Sequence, residues 1–124
     1  MKKALDANGA PSSPNLLSAA IEVDGLVFTS GQIHMDTEFK LVGDTMTEKS
    51  KKVMENLKAI LDGAGLTFEN VVKATVYVTD MAEYKEFNDV YLEYFTQPMP
   101  AREVVCVNAL PLGASVEVSL IAKR

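Results

Sequence analysis

Residues 71–109 read as a strand, a helix and a strand in direct succession, and no other feature limits the fold so strongly. VVKATVYV, residues 71–78, alternates: Val72, Ala74, Val76 and Val78 share one face, and Lys73, Thr75 and Tyr77 the other. Asp80 is placed to cap a helix, with Glu83 at the capping-box position. Tyr84, Phe87, Tyr91 and Tyr94 lie on or near one face of that helix. Pro98 and Pro100 prevent its continuation, and an apolar strand over 103–109 follows. Such a strand–helix–strand unit takes a right-handed crossover, which lays its helix on one face of the sheet.

The upstream sequence adds a hairpin and a second helix. SAAIEV and LVFTSGQ flank Asp24-Gly25, the signature of a two-residue type I′ turn. Ser30-Gly31 ends the second strand, where glycine marks a bulge or a close backbone approach. A polar loop carrying His34, expected to be exposed, leads to a short strand around residues 40–42. Thr45 and Glu48 have capping-box spacing, and Val53, Met54, Leu57, Ile60, Leu61 and Ala64 form one helical stripe ended by Gly63 and Gly65. A strand over 115–122 closes the chain. The order βββαβαββ predicts a single α+β domain over 1–124, one mixed sheet with two helices on one face. Residues 1–15, with the stretch NGAPSSPN, are expected to be a loop or mobile arm.

Two helices on one face leave the other uncovered. The alternation places Val27, Val71, Tyr77 and Ile121 there, and strand 103–109 is apolar on both faces. Exposing such a surface is unfavourable, so a homo-oligomer with sheet faces packed inward is expected.

Charge and cysteine usage narrow the function classes. The 124 residues carry a formal charge of -5, with no basic run to serve as a nucleic-acid footprint. One cysteine, Cys106, excludes an intrachain disulfide; inside an apolar strand it is expected to be buried and inert. A single histidine argues against a Ser-His-Asp triad or a histidine-rich metal site. The lack of an N-terminal apolar run and of any membrane-spanning stretch fits a cytoplasmic protein.

Three features could carry chemistry. Arg102 follows two prolines at the mouth of an apolar strand, as a solvated strand end or as a bidentate clamp for an anion. Glu117 stands with Ser119 and Ile121 opposite the core-facing Val116, Val118 and Leu120. It is either a charge on a wet face or, if a subunit covers that face, a desolvated carboxylate suited to proton transfer. Ser30-Gly31 could present backbone N–H groups to a ligand.

SGQI, VMENLKAIL with its GAG stop, VVKATVYVTDM, FNDVYLEYF and the terminal PAR…LP…VE pattern resemble, in this order from about residue 18 onward, the RidA/YjgF reactive-intermediate deaminases. The resemblance implies a chorismate-mutase-like fold and a homotrimer with a central β-barrel and clefts between subunits. It implies cofactor-free hydrolysis of 2-imino or enamine acids, such as 2-iminobutanoate and 2-iminopropanoate, to 2-oxo acids and ammonia. By the same resemblance Arg102 holds the substrate carboxylate and Glu117 positions water. Ser30, Gly31 and Asn88 border the cleft, and Val104 offers it a backbone N–H. Leu17 replaces a cleft tyrosine, Ala109 an arginine, and His34 stands where proline is common. Other readings are a non-catalytic module for 2-oxo acids or other small carboxylates, deamination of a different enamine such as an aminoacrylate or aminomuconate type, and an RNA-acting translation inhibitor. The acidic charge argues against the last.

Overall fold

The computed structural model describes all 124 residues. Its strands are β1 (Lys3–Leu5), β2 (Ala20–Val23), β3 (Leu26–Thr29), β4 (Gln32–Ile33), β5 (Val71–Val78), β6 (Ala101–Cys106) and β7 (Val116–Lys123). Its helices are α1 (Met46–Gly63) and α2 (Tyr84–Tyr91). The strands form one mixed sheet in the order β1-β2-β3-β7-β5-β6, with β4 pairing the first half of β7. Only β5 and β6 run parallel, as a helical crossover requires. The fold is α+β.

Local chemistry explains most of these elements. Asp24 and Gly25 both adopt positive φ, 51° and 79°, as a type I′ turn demands. Thr45 and Glu48 form the capping box of α1. The stripe Val53, Met54, Leu57, Ile60 and Leu61 is fully buried against Ala74, Val76, Val78, Val116, Val118, Leu120 and Ala122 of the sheet. Glu86 of α2 accepts hydrogen bonds from the N–H and hydroxyl of Thr47 at 2.7 and 2.8 Å, which locks α2 onto the start of α1.

Several expectations need correction. Residues 1–15 are not all arm, because Lys3–Leu5 pairs antiparallel with β2. The strand expected at 40–42 is a single bridge between Met35 and Leu41. The register of β5 against β7 shifts between Val71 and Lys73. This bulge turns Val71 into the core and leaves Val72 47% exposed, the reverse of the simple alternation. Val27 likewise faces the core, and its neighbour Phe28 points outward. Asp80 does act as a cap, accepting from Ala82 N–H at 2.9 Å, but it opens a 3-10 turn over Met81–Glu83, and Glu83 forms no capping box. The strand expected over 103–109 runs instead from 101 to 106. It lies at the sheet edge, where Cys106 is exposed rather than buried.

His34 is the largest reversal. It is 1% exposed, not solvated. Its Nδ1 lies 3.0 Å from the Val42 carbonyl, and Ser115 N–H donates to its Nε2 at 3.0 Å. Because Nε2 accepts, the neutral ring carries its proton on Nδ1, and that proton is donated to Val42. The ring thereby ties loop 34–42 to the segment entering β7. Burial pushes its pKa below the ordinary 6.5, with the Lys49 ammonium acting in the same direction. The folded protein thus binds fewer protons here than the unfolded chain. Stability is expected to fall as pH drops below about 6.5, before the carboxylates titrate. Melting temperatures at pH 7.5 and 5.5 check this. His34→Phe, which orphans two backbone groups, should cost about 1–3 kcal/mol and flatten the dependence.

Candidate active site

The seven residues singled out by sequence fall into two groups. Leu17, Ser30, Gly31 and Glu117 line one cavity of about 520 Å³, together with Ser13, Leu16, Ile33, Met35, Phe39, Pro111 and Leu112. Arg102 and Asn88 meet elsewhere, at the far edge of the sheet, with Val104 two residues along.

The first group is built by the break between β3 and β4. β3 pairs the end of β7 and β4 its beginning, so the chain crosses at Ser30-Gly31, where Ser30 hydroxyl donates to Ser18 carbonyl at 2.6 Å. That bond holds the stretch carrying Leu17 beside the crossing. A Cβ at Gly31 would overlap the Glu117 carboxylate where it stands, so a side chain there would push that carboxylate aside. Glu117 has no hydrogen-bond or ion-pair partner in the chain, and desolvation raises its pKa above the usual carboxylate range.

In the second group α2 presents Tyr84 and Asn88, one helical turn apart, to β6. The Arg102 guanidinium donates through Nη2 to Tyr84 hydroxyl at 3.3 Å and to Asn88 Oδ1. Its Cζ lies 4.6 Å from the centre of the Tyr91 ring. All these partners are neutral, and no carboxylate pairs with it, unlike Arg124 with Glu22. The guanidinium is fixed in direction, half-buried, and keeps its charge uncompensated, which suits it to an anion. Val107 N–H bonds the Val78 carbonyl, and the period of two turns the N–H of Val104 to the open edge of β6.

Tyr84 and Tyr91 were legible only as an aromatic stripe. Their i, i+4 and i, i+3 spacing to Asn88 is the signal that could have marked them as supports for Arg102. Phe39 and Leu112 sit in loops, where periodicity is silent. No cluster of three or more His, Cys, Asp or Glu side chains is placed to hold a metal. No helix is long and apolar enough to cross a membrane.

The register decides how the two groups relate. Arg102 aligns with Ala74 and Leu120, both core-facing. Glu117 aligns with Tyr77 and stands between the core-facing Val116 and Val118. The two charges therefore leave opposite faces of the sheet, with β5 between their strands and a lateral separation of about 10 Å. Arg102 does not line the cavity that holds Glu117.

These features define an α+β protein with a desolvated carboxylate over a glycine and a preoriented arginine on the other face. Comparison with known proteins is specific. The sequence profile described as Endoribonuclease L-PSP matches residues 7–124. Protein DfrA of Myxococcus xanthus is 40% identical, covering 98% of this chain and 95% of the relative. The 2-iminobutanoate/2-iminopropanoate deaminase of Mus musculus is 37% identical over 98% of this chain and 91% of its own. The crystal structure of YEO7 from yeast superposes with a TM-score of 0.95 at 35% identity, covering 100% of this chain and 99% of that one. The chain belongs to this family, the RidA/YjgF family whose motifs it carries.

Proposed function

We propose that the protein hydrolyses reactive 2-imino and enamine acids to 2-oxo acids and ammonia, at sites shared between subunits of a homotrimer. The observation that carries this reading is the placement of Arg102 and Glu117 on opposite faces of one sheet. Arg102 stands on the edge strand β6, so an assembly that seats this edge against the outer sheet face of a neighbour, with the sheets curled into a central barrel, would bring Glu117 of one subunit toward Arg102 of the next. The outer face favours such packing, since Phe28 and Val105 are 39% and 43% exposed. The deaminase among the relatives supports the substrate class.

In this mechanism Arg102 takes the substrate carboxylate in two charge-assisted hydrogen bonds. The protonated imine carbon is then held near a water on Glu117. Water oxygen attacks that carbon as its proton passes to Glu117. The carbinolamine nitrogen takes that proton back, Glu117 then accepts the hydroxyl proton as the C–N bond breaks, and ammonia and the 2-oxo acid leave. No oxidant or cofactor is required. His34, with both ring nitrogens engaged, is not a free base for RNA cleavage.

Subunit mixing tests the shared site. Arg102→Ala and Glu117→Gln proteins are each expected to be inactive alone. Co-expressed in equal amounts, the randomly assembled population should recover about a quarter of wild-type activity, since one interface in four then holds both wild-type residues. No recovery, with mixed oligomers verified by native mass spectrometry, would rule out a site built from two subunits.

A further inference from the structure

Four residues other than glycine adopt a left-handed backbone: Asn8, Asp24, Phe39 and Leu112, with φ of 52°, 51°, 63° and 59°. Asparagine and aspartate visit this region readily, because a short polar side chain can bond locally. Phenylalanine and leucine have no such compensation, so the surrounding structure must hold each of them there. Both are also exposed, Phe39 by 50% and Leu112 by 63%. These two strained, exposed, apolar residues come from separate loops and line the same cavity as Glu117.

The loops are held in place. Asp36 carboxylate accepts from the N–H groups of Glu38 and Lys40 at 2.8 and 3.1 Å, closing the turn that carries Phe39. Leu112 lies in a 3-10 turn closed by Gly113 N–H to Leu110 carbonyl at 3.2 Å and Ala114 N–H to Pro111 carbonyl at 3.0 Å. His34 joins the two loops, through Val42 on one side and Ser115 on the other. Strain that the surroundings enforce at a cavity wall is characteristic of ligand-binding positions. Leu17 completes the wall, and Glu117 is the only charged residue on the cavity.

We infer that Phe39 and Leu112, with Leu17, form the subsite for the substrate's side chain, and that this subsite selects extended apolar side chains over a methyl group. The preferred substrates are then the 2-imino acids derived from leucine, methionine or phenylalanine. Acidic side chains are disfavoured, because Glu117 would repel them in an apolar, partly desolvated space. The inference rests on the deaminase reading of Glu117.

The test generates imines with an L-amino-acid oxidase, and follows their loss against capture by semicarbazide. The leucine- or phenylalanine-derived imine should be hydrolysed with a kcat/KM roughly tenfold or more above that of the alanine-derived one, the scale on which an apolar pocket discriminates. Phe39→Asn combined with Leu112→Asn should erase that preference, bringing the two kcat/KM values to within about twofold of each other. Asparagine relieves the backbone strain, so the same double variant should melt higher than the wild type. A purely structural role for these residues would leave the ratio unchanged. Selectivity intact in the double variant, or a wild type favouring the methyl side chain, would overturn the subsite. If the wild type hydrolyses no imine, the deaminase reading fails instead. The subsite is then judged by whether 4-methyl-2-oxopentanoate raises the melting temperature more than pyruvate does, and equal shifts would overturn it.

Discussion

Arg102→Ala is expected to lower kcat/KM for 2-imino acid hydrolysis by roughly a hundred- to a few-thousandfold, matching about 3–5 kcal/mol for one partner of a desolvated charge pair. The size follows from how the guanidinium is held. Asn88 and Tyr84 fix its direction and the Tyr91 ring supports its face, so little ordering remains for substrate binding to enforce. Lysine is expected not to rescue, because a single ammonium cannot present the planar fork or span Asn88, Tyr84 and a carboxylate together. The loss should appear when 2-imino acids are compared with substrates lacking the carboxylate, on which the variant and wild type should converge. Stability should change by only about 1–2 kcal/mol, since the residue gives up two half-buried hydrogen bonds and a contact over an aromatic ring but no ion pair. Steady-state kinetics beside a melting curve separates these effects. A variant within a few-fold of wild type on the imine would remove Arg102 from the site.

The sequence made the frame of this site legible for definite reasons. Asp24-Gly25 admits few turn geometries, so β2 and β3 follow from two residues. Thr45 and Glu48 identify the start of α1 because each satisfies the other's backbone N–H. What stayed hidden depended on tertiary partners. Lys3–Leu5 is too short to alternate, and its pairing comes from the free edge of β2. A one-residue bulge at the head of β5 changes which of Val71 and Val72 is buried, a parity that composition does not encode. His34 sits in a polar loop, yet the core end of β7 needs an acceptor for Ser115 N–H, and the imidazole supplies it. Arg102 and Glu117 were nameable from motif and alternation. Their separation onto opposite faces emerges only once β5 is seen to lie between their strands.

Glu117→Gln should abolish most activity while leaving the fold as stable as before, or more so. The carboxylate lies beside Gly31 with no donor in the chain to offset its desolvation, so its folded pKa stands above the ordinary 4.5. In the window between those two values the folded state keeps a proton that the unfolded chain has already released. Stability therefore declines as pH rises from about 4.5 through the folded pKa, and above it the full cost of holding the charge persists. Glutamine removes that cost at nearly constant shape. The melting-temperature gap between variant and wild type should widen across that window and then level off. Catalysis moves in the opposite direction, because only the ionised carboxylate can take a proton from water. Wild-type kcat/KM should rise with pH along a limb whose midpoint lies above the usual carboxylate range. The variant should lose that limb along with about 10²–10⁴ of the rate, the contribution general base catalysis ordinarily makes. A destabilised Glu117→Gln protein would mean that the carboxylate serves the fold. An active one would move the water-activating role to another residue. A stable, inactive variant with a flat pH profile is the outcome that burial without a partner predicts.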